Sequence, residues 1–256
     1  MDVIIFGGQS NMQGQTECAP TDNQPVQGAF EFRFETNALQ PLQHPVGENL
    51  WGVIAESDQQ RGSLVPAFCE AYVKATGRKV AAVHAAKGAT TIGEWLRGTQ
   101  RYHYAAIKMK AALQKVQETE RIGRIYYVWL QGESDALIQT TEEEYLGRLI
   151  AYKNDLKKDV GIHKFCIIKV GYFAATAVWL KDDMGVREEW DEAIQRAQER
   201  AAQTDEDFVM LTDICTKMSR QAEYINPQAC GHYTNAGLER IGNVAGQSLA
   251  RYAASK

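Results

Sequence analysis

Five short, almost wholly apolar runs divide this 256-residue chain and limit what it can fold into. A strand that is apolar on both sides is typical of a parallel sheet covered on both faces, because a half-exposed strand alternates apolar and polar residues. The five runs occupy 3–6, 80–84, 125–130, 166–170 and 208–211. They predict five buried strands.

Helical patterns lie between and after these runs. Apolar residues recur at the three- or four-residue spacing of one helix face in five segments. These segments are 63–76, 102–116, 141–158, 186–202 and a last one that begins near Thr234 or Asn235, either of which is a suitable helix cap. The alternation predicts a three-layer α/β/α fold around a five-stranded parallel sheet with right-handed crossovers. Residues 29–34 alternate as a strand does, so a small hairpin is expected within the long connection 16–62.

Composition and charge argue against several classes of function. The chain is 45% hydrophobic and 23% charged, as soluble globular proteins are, and its net charge of −4 favours neither nucleic acid nor an anionic membrane. No apolar stretch approaches the roughly 18 residues of a membrane span, and no basic signal-peptide segment precedes the first strand. The five cysteines form no CxxC pair, which suits a reducing compartment. We therefore expect a cytoplasmic protein.

Two segments at opposite ends of the chain carry a candidate hydrolytic site. Ser10 follows the first apolar run and two glycines, which is typical of a tight turn at the carboxyl end of a strand, where open α/β sheets bind ligands. His232 precedes the last helical segment. A serine needs an adjacent base to be nucleophilic near neutral pH, so His232 is a candidate general base. If the two residues meet, 1–256 is a single domain with 16–62 as a long loop insertion.

Four sequence blocks, taken in order, resemble those of the SGNH (GDSL-like) hydrolases. Gly-Gln-Ser-Asn-Met surrounds Ser10, Gly88 follows the second strand, Gln-Gly-Glu-Ser-Asp occupies 131–135, and His232 stands in the fourth block. The first and third blocks are similar to the forms found in carbohydrate esterase family six and in the sialic-acid-specific acetylesterases. The resemblance runs from about residue 3 to residue 245. It implies the flavodoxin-like strand order 2-1-3-4-5.

The resemblance also implies roles for individual residues. Ser10 is the expected nucleophile, and His232 is the base that takes its proton and later protonates the leaving sugar hydroxyl. The oxyanion needs preorganised donors, and the backbone N–H groups of Ser10 and Gly88 match the first two. The third donor in the family is a side-chain amide. Gln131 offers one and is preferred, whereas Ser134 occupies the more literal position of the asparagine in the wider superfamily.

One position departs from the family. An aspartate usually stands three residues before the histidine, to orient the ring and stabilise its charge, and here that position is Ala229. A backbone carbonyl could accept the ring N–H and give a Ser–His dyad, or a carboxylate from another loop, such as Glu133 or Asp213, could reach the ring. Glu133 is more simply expected to hold the third block to the serine turn. The residues expected to support the site are Gln9, Glu133, Ser134 and Asp135.

Further residues are candidates for binding substrate. Aromatic side chains can stack on a sugar face, and the candidates are Trp51, Trp95 and Trp179. Arg187 could pair with a substrate carboxylate or with its helix neighbour Asp191. Arg97 and Arg101 are further cations for an acidic sugar. No metal-ligand spacing, phosphate loop or dinucleotide motif is present, so neither metal nor cofactor is expected.

These observations lead to one principal function and two alternatives. The principal one is a carbohydrate O-acetylesterase that hydrolyses acetyl esters on a sugar through a Ser10 acyl-enzyme. Acetylated sialic acid and an acetylated xylan-type polymer are both open as substrates. The alternatives are a broader SGNH lipase or thioesterase, and a non-catalytic carbohydrate-binding protein that has lost the aspartate. The position of the ester and the oligomeric state are open.

Overall fold

One sheet of seven strands organises the protein. The computed structural model describes residues 1–58, 61–177 and 184–255, without the side chains of 184–186, so that Trp179 lies outside the described residues. The strands are β1 (Asp2–Gly8), β2 (Ala29–Arg33), β3 (Ala38–Pro41), β4 (Val80–Ala86), β5 (Ile125–Leu130), β6 (Lys164–Ile168) and β7 (Phe208–Thr212). All seven residues of β1 are buried, so β1 and its neighbours form the centre of the core.

The sheet has the order β3-β2-β4-β1-β5-β6-β7. The five predicted strands are β1, β4, β5, β6 and β7. They pair in parallel and occur in the predicted order 2-1-3-4-5. The predicted count of five is wrong, because β2 adds in parallel to β4 and β3 pairs antiparallel with β2. The alternating pattern of 29–34 indicated a local hairpin but not its pairing with β4, which is a contact between residues about fifty positions apart.

Helices flank this sheet. The α-helices of the described residues are α1 (Ser10–Gln13), α2 (Val65–Thr76), α3 (Gln100–Gln117), α4 (Glu133–Leu137), α5 (Glu142–Asp159), α6 (Met184–Thr204), α7 (Ile214–Met218) and α8 (Asn235–Ala254). The five predicted helices correspond to α2, α3, α5, α6 and α8. The Thr234 side chain caps α8 by accepting a hydrogen bond from the Gly237 N–H at 3.1 Å. The short helices α1, α4 and α7 were not predicted, because four or five residues are too few to show a helical period.

A buried ion pair fixes the long connection between α1 and α2. Lys108 of α3 is fully buried, and its Nζ lies 2.9 Å from Oε2 of the buried Glu48. Glu48 also accepts the backbone N–H groups of Phe34 and Glu35. The long connection is therefore held against α3 and the end of β2. Within the described residues, no helix combines the length and apolar character needed to cross a membrane.

Candidate active site

A cavity of about 470 Å³ opens at the carboxyl ends of β1, β4 and β5. Ser10 enters it from the end of β1, Gly88 from the end of β4, and Ser134 from α4 after β5. His232, from the loop before α8, lines the same cavity, and so does Asp58 of the long connection. Residues more than two hundred positions apart thus meet at the edge of the sheet where parallel α/β folds place their ligand sites.

The turn that presents Ser10 requires glycine. Gly8 has φ +144°, and a Cβ added there would lie 2.0 Å from the carbonyl oxygen of Leu130. The Gln9 N–H then donates to that same carbonyl at 3.1 Å, which fixes the turn against the end of β5. Ser10 is the first residue of α1 and is only 4% exposed. Its position on a rigid turn is the one that the sequence predicted.

The His232 ring is oriented by a backbone carbonyl. Its Nδ1 lies 3.2 Å from the oxygen of Cys230, and the ring meets Phe173 edge-on at 5.4 Å between centroids. Gly231 permits this contact, because a Cβ there would lie 2.2 Å from the Phe173 ring. Among the described residues no carboxylate bonds to the ring, and no direct hydrogen bond joins it to Ser10. The backbone carbonyl corresponds to the dyad alternative considered for Ala229.

The environment of His232 favours its neutral form. Burial lowers the pKa of the ring, and the carbonyl oxygens of Cys230 and Ala229 and the charge of Asp58 oppose that shift. A neutral imidazole at neutral pH is the form that can accept a proton. The ring therefore has the protonation state that a general base requires.

Gly88 lies beside Ser10, but its N–H is already occupied. A Cβ on Gly88 would lie 3.5 Å from the Ser10 Cβ. The Gly88 N–H donates to Oε1 of Gln13 at 2.7 Å, and Nε2 of Gln13 donates to the Glu56 carbonyl at 2.8 Å. The side-chain oxygen of Gln13 thus accepts from the backbone N–H group that is expected to bind the oxyanion.

The Gln131 amide does not reach the cavity. Gln131 is fully buried, and its Nε2 lies 2.9 Å from the Thr90 carbonyl and 2.6 Å from Oδ2 of Asp135. Its Oε1 accepts from the Tyr145 hydroxyl at 3.0 Å. This geometry disfavours Gln131 as the third oxyanion donor, because every polar atom of its amide serves an internal bond.

Gln9 and Ser134 form the wall at which the third donor was expected. Both line the cavity, and Oε1 of Gln9 accepts the Ser134 N–H at 3.1 Å and Nε2 of Gln131 at 3.3 Å. These two bonds fix the orientation of the Gln9 amide. No described residue accepts from Nε2 of Gln9, so this side-chain donor is available beside Ser10.

Buried hydrogen bonds tie the blocks together. Asn11 donates from Nδ2 to Oε1 of Glu133 at 2.9 Å and to the Gly231 carbonyl at 3.2 Å, linking the serine turn, α4 and the histidine loop. Asp135 accepts the Ile92 N–H at 2.8 Å. Burial raises the pKa of Glu133 to about 7. Glu133 and Asp135 thus link the third block to the segments of Asn11 and Ile92.

The two described tryptophan candidates lie away from the cavity. Trp51 is 39% exposed and stacks on Tyr104 with centroids 4.8 Å apart. Trp95 is fully buried, where its Nε1 donates to Thr90 Oγ1 at 3.0 Å and its ring packs on Trp129. Neither ring is part of the lining of the cavity that holds Ser10. Aromatic content along the sequence does not distinguish a core position from a binding wall.

The three arginine candidates also lie elsewhere. Arg187 donates to the Ala177 carbonyl at 2.6 Å and does not line the cavity. Its expected helix partner Asp191 instead accepts three backbone N–H groups, those of 173–175. Arg97 pairs with Asp155, and Arg101 pairs with Glu94. Each of these arginines forms a hydrogen bond or an ion pair within the protein, so each has a structural role.

Sequence reasoning missed four polar residues of the cavity, Gln13, Gln15, Asp58 and Lys87. Lys87 is the one lysine or arginine among the described lining residues. Lys87 directly precedes Gly88, which the sequence analysis placed in the site. This adjacency could have identified Lys87 as a cavity residue. Asp58 lies in the long connection, and no sequence feature near it identifies it as a cavity residue.

The mostly parallel sheet and its flanking helices have the arrangement of the SGNH hydrolase fold. The family described as carbohydrate esterase, sialic acid-specific acetylesterase, matches residues 1–246. The chain belongs to this family. A search of curated proteins finds no match.

Solved structures with the same fold cover the full length of the chain. A protein from Arabidopsis thaliana superposes with a TM-score of 0.69 at 18% identity, over 100% of this chain and 98% of that one. NanS superposes with a TM-score of 0.65 at 15% identity, with the same coverage. A carbohydrate acetylesterase from Xanthomonas citri gives 0.54 at 13% identity, over 100% of this chain and 57% of that one. At these identities the likeness shows the fold alone.

Proposed function

We propose that this carbohydrate acetylesterase uses Ser10 as nucleophile and His232 as base to hydrolyse acetyl esters of an acidic sugar. The observation that carries the proposal is the convergence of Ser10, Gly88 and His232 on one cavity, from segments that are distant in the chain. A neutral, partly buried histidine on a hydrogen-bonded loop and a serine on a glycine turn are the parts that acyl transfer needs.

The reaction would proceed in two halves. His232 takes the proton of Ser10 Oγ as the oxygen attacks the acetyl carbon, and the imidazolium then protonates the departing sugar oxygen. A water molecule, deprotonated by His232, then attacks the acetyl-Ser10 ester, and the imidazolium returns the proton to Ser10 Oγ as acetate leaves. The two side chains are not hydrogen-bonded in this structure. Catalytic hydrogen bonds of this kind commonly tighten only when substrate is bound.

Three donors would hold the oxyanion. The Ser10 N–H has no backbone acceptor among the described residues. The Gly88 N–H becomes available when the substrate oxygen replaces the side-chain oxygen of Gln13 as its acceptor. For the third donor, the available Nε2 of Gln9 is better placed than the amide of Gln131, which is bonded internally. Removing one such donor typically costs about 10²–10³ in turnover.

The charge of the cavity supports an acidic sugar. Lys87 lines the cavity, and its side chain makes no hydrogen bond or ion pair with any described residue. A free ammonium there can meet a sugar carboxylate, and the family description names sialic acid. An acetylated xylan-type sugar carries no such carboxylate on its backbone and would leave Lys87 without a partner.

The first test is hydrolysis of 4-nitrophenyl acetate by wild type and by Ser10→Ala. Loss of the nucleophile should reduce turnover by at least about 10³-fold. The same two proteins are then given acetylated sialic acid and acetylated xylo-oligosaccharides, with Lys87→Met as the charge variant. Preference for sialic acid that Lys87→Met removes would support the proposal. Absence of turnover by wild type would favour a binding protein, and undiminished turnover by Ser10→Ala would assign the nucleophile elsewhere.

A further inference from the structure

We propose that Asp58, from the long connection, supplies the negative charge that stabilises the protonated His232 ring in place of the carboxylate that Ala229 lacks. The inference rests on the proposed serine mechanism. It assigns Asp58 a positioning and electrostatic role that acts through His232, and it gives the long connection a part in the chemistry.

Asp58 and His232 line the same cavity. Asp58 is the one acidic residue among the described lining residues, and it is partly exposed. Its carboxylate makes no hydrogen bond or ion pair with any described residue. A carboxylate with no partner among these residues is available to interact across the cavity with a cation that forms there.

The backbone holds Asp58 close to the nucleophile turn. The Asp58 N–H donates to the carbonyl of Gly14, the residue that ends α1, at 2.9 Å. Ser57, next to it, donates its N–H to the Val46 carbonyl at 2.7 Å. A Cβ on Gly14 would lie 2.4 Å from the Gly62 carbonyl, so the chain packs closely at this point. Asp58 is thus fixed to the same helix that begins with Ser10.

The other nearby carboxylates lie outside the cavity lining. Oε1 of Glu133 accepts from Asn11, and its buried Oε2 has no hydrogen-bond partner among the described residues. Asp191 accepts three backbone N–H groups behind Phe173. Asp213 is exposed and does not line the cavity. Among the residues that the structure describes, Asp58 is the carboxylate that shares the cavity with the ring.

The electrostatic effect on His232 has the expected sign. Among the causes that act on its pKa, Asp58 is the one charged side chain, and it raises the value against the larger lowering by burial. Because Cys230 occupies Nδ1, Asp58 acts through its charge rather than as the hydrogen-bond partner of the usual triad. The remaining charged groups around the ring are Lys87 in the cavity, Glu133 behind Asn11 and Asp191 behind Phe173, and they are common to every variant compared below.

The test is the pH profile of kcat/KM for 4-nitrophenyl acetate in Asp58→Asn. Without the charge, the imidazolium of the transition state is less stabilised, so the plateau should fall by about 3- to 10-fold. The pKa of His232 in the free enzyme should fall as well, so the acid limb of the pH profile should shift to lower pH. Asp58→Glu, which keeps the charge, should retain most of the activity. Asp213→Asn is the matched control on an exposed carboxylate and should leave both features unchanged.

Two results would overturn the inference. One is an Asp58→Asn profile that superposes on wild type. The other is a lower plateau with an unshifted acid limb, which would make Asp58 a substrate contact or a structural residue. Failure of the serine mechanism is a separate outcome, because it would show as activity retained in Ser10→Ala whatever Asp58 does.

Discussion

At the residue scale, Gln13 is the side chain that substrate would displace in the proposed mechanism. Its amide oxygen lies 2.7 Å from the Gly88 nitrogen, where the acetyl oxygen is expected to bind. A neutral amide can yield to a developing oxyanion, because the charged acceptor forms the stronger hydrogen bond. Gln13 thus provides an acceptor for this partly buried donor in the free enzyme.

Gln13→Glu tests this arrangement. A carboxylate at the same place would bind the Gly88 N–H more strongly and repel the oxyanion, so kcat/KM should fall by at least about 10-fold. Gln13→Met keeps the volume without the oxygen and should stay within about 10-fold of wild type. Equal kinetics for Gln13→Glu and wild type would show that the oxyanion does not bind at Gly88.

Glu133 determines a pH dependence of stability. Burial raises its pKa from 4.5 to about 7. The native state therefore holds a proton that the unfolded state releases, and the resulting stability is present below pH 4.5 and lost as pH rises through 7. Glu133→Gln retains an acceptor for Asn11 and removes the loss of stability that occurs as pH rises. It should be more stable than wild type at pH 8.5 by up to about 3 kcal/mol, with little difference at pH 5.

Urea unfolding of wild type and Glu133→Gln at the two pH values measures this difference. The comparison tests the titration of the Glu133 carboxyl, because the substitution replaces no other titrating group. A stability gap that is the same at pH 5 and pH 8.5 would mean that Glu133 does not titrate in this range.

At the element scale, the long connection depends on the ion pair between Lys108 and Glu48. Both are buried, so removing one partner leaves an uncompensated charge. Lys108→Met should lower the free energy of unfolding by about 3–5 kcal/mol. Thermal or urea unfolding checks this, with the exposed Lys110→Met on the same helix as control. A loss no larger than that of Lys110→Met would show that the pair does not stabilise the connection.

The same element links stability to chemistry. The connection carries β2, β3 and Asp58, so it both extends the sheet and lines the cavity. Its sequence showed a local strand at 29–34 but neither the neighbour of that strand nor the position of Asp58. Pairing and cavity lining depend on contacts with β4 and α1, which lie far away in the sequence.

At the scale of the whole molecule, the site joins both ends of the chain. Ser10 and His232 come from opposite termini, and α8 packs closely on α2, where a Cβ on Gly246 would lie 2.3 Å from the Phe68 carbonyl. We therefore propose that 1–256 behaves as one domain. Far-UV circular dichroism and tryptophan fluorescence should report coincident urea transitions, since Trp95 and Trp129 lie in the central core. Separate midpoints for the two probes would contradict this.

Local chemistry along the sequence determined the five central strands and the serine and histidine loops, and the family resemblance supplied the order of the strands. Apolar runs, glycine turns and helix caps are short-range features, and the block residues resembled a known family at matching positions. Only the tertiary structure decided that the sheet has seven strands, that Gln131 bonds inward, that Trp51 and Trp95 lie outside the cavity, and that Asp58 lies inside it. The partner of an amide, a ring or a carboxylate is chosen by distances between segments far apart in the chain, and those distances exist only once the core has packed.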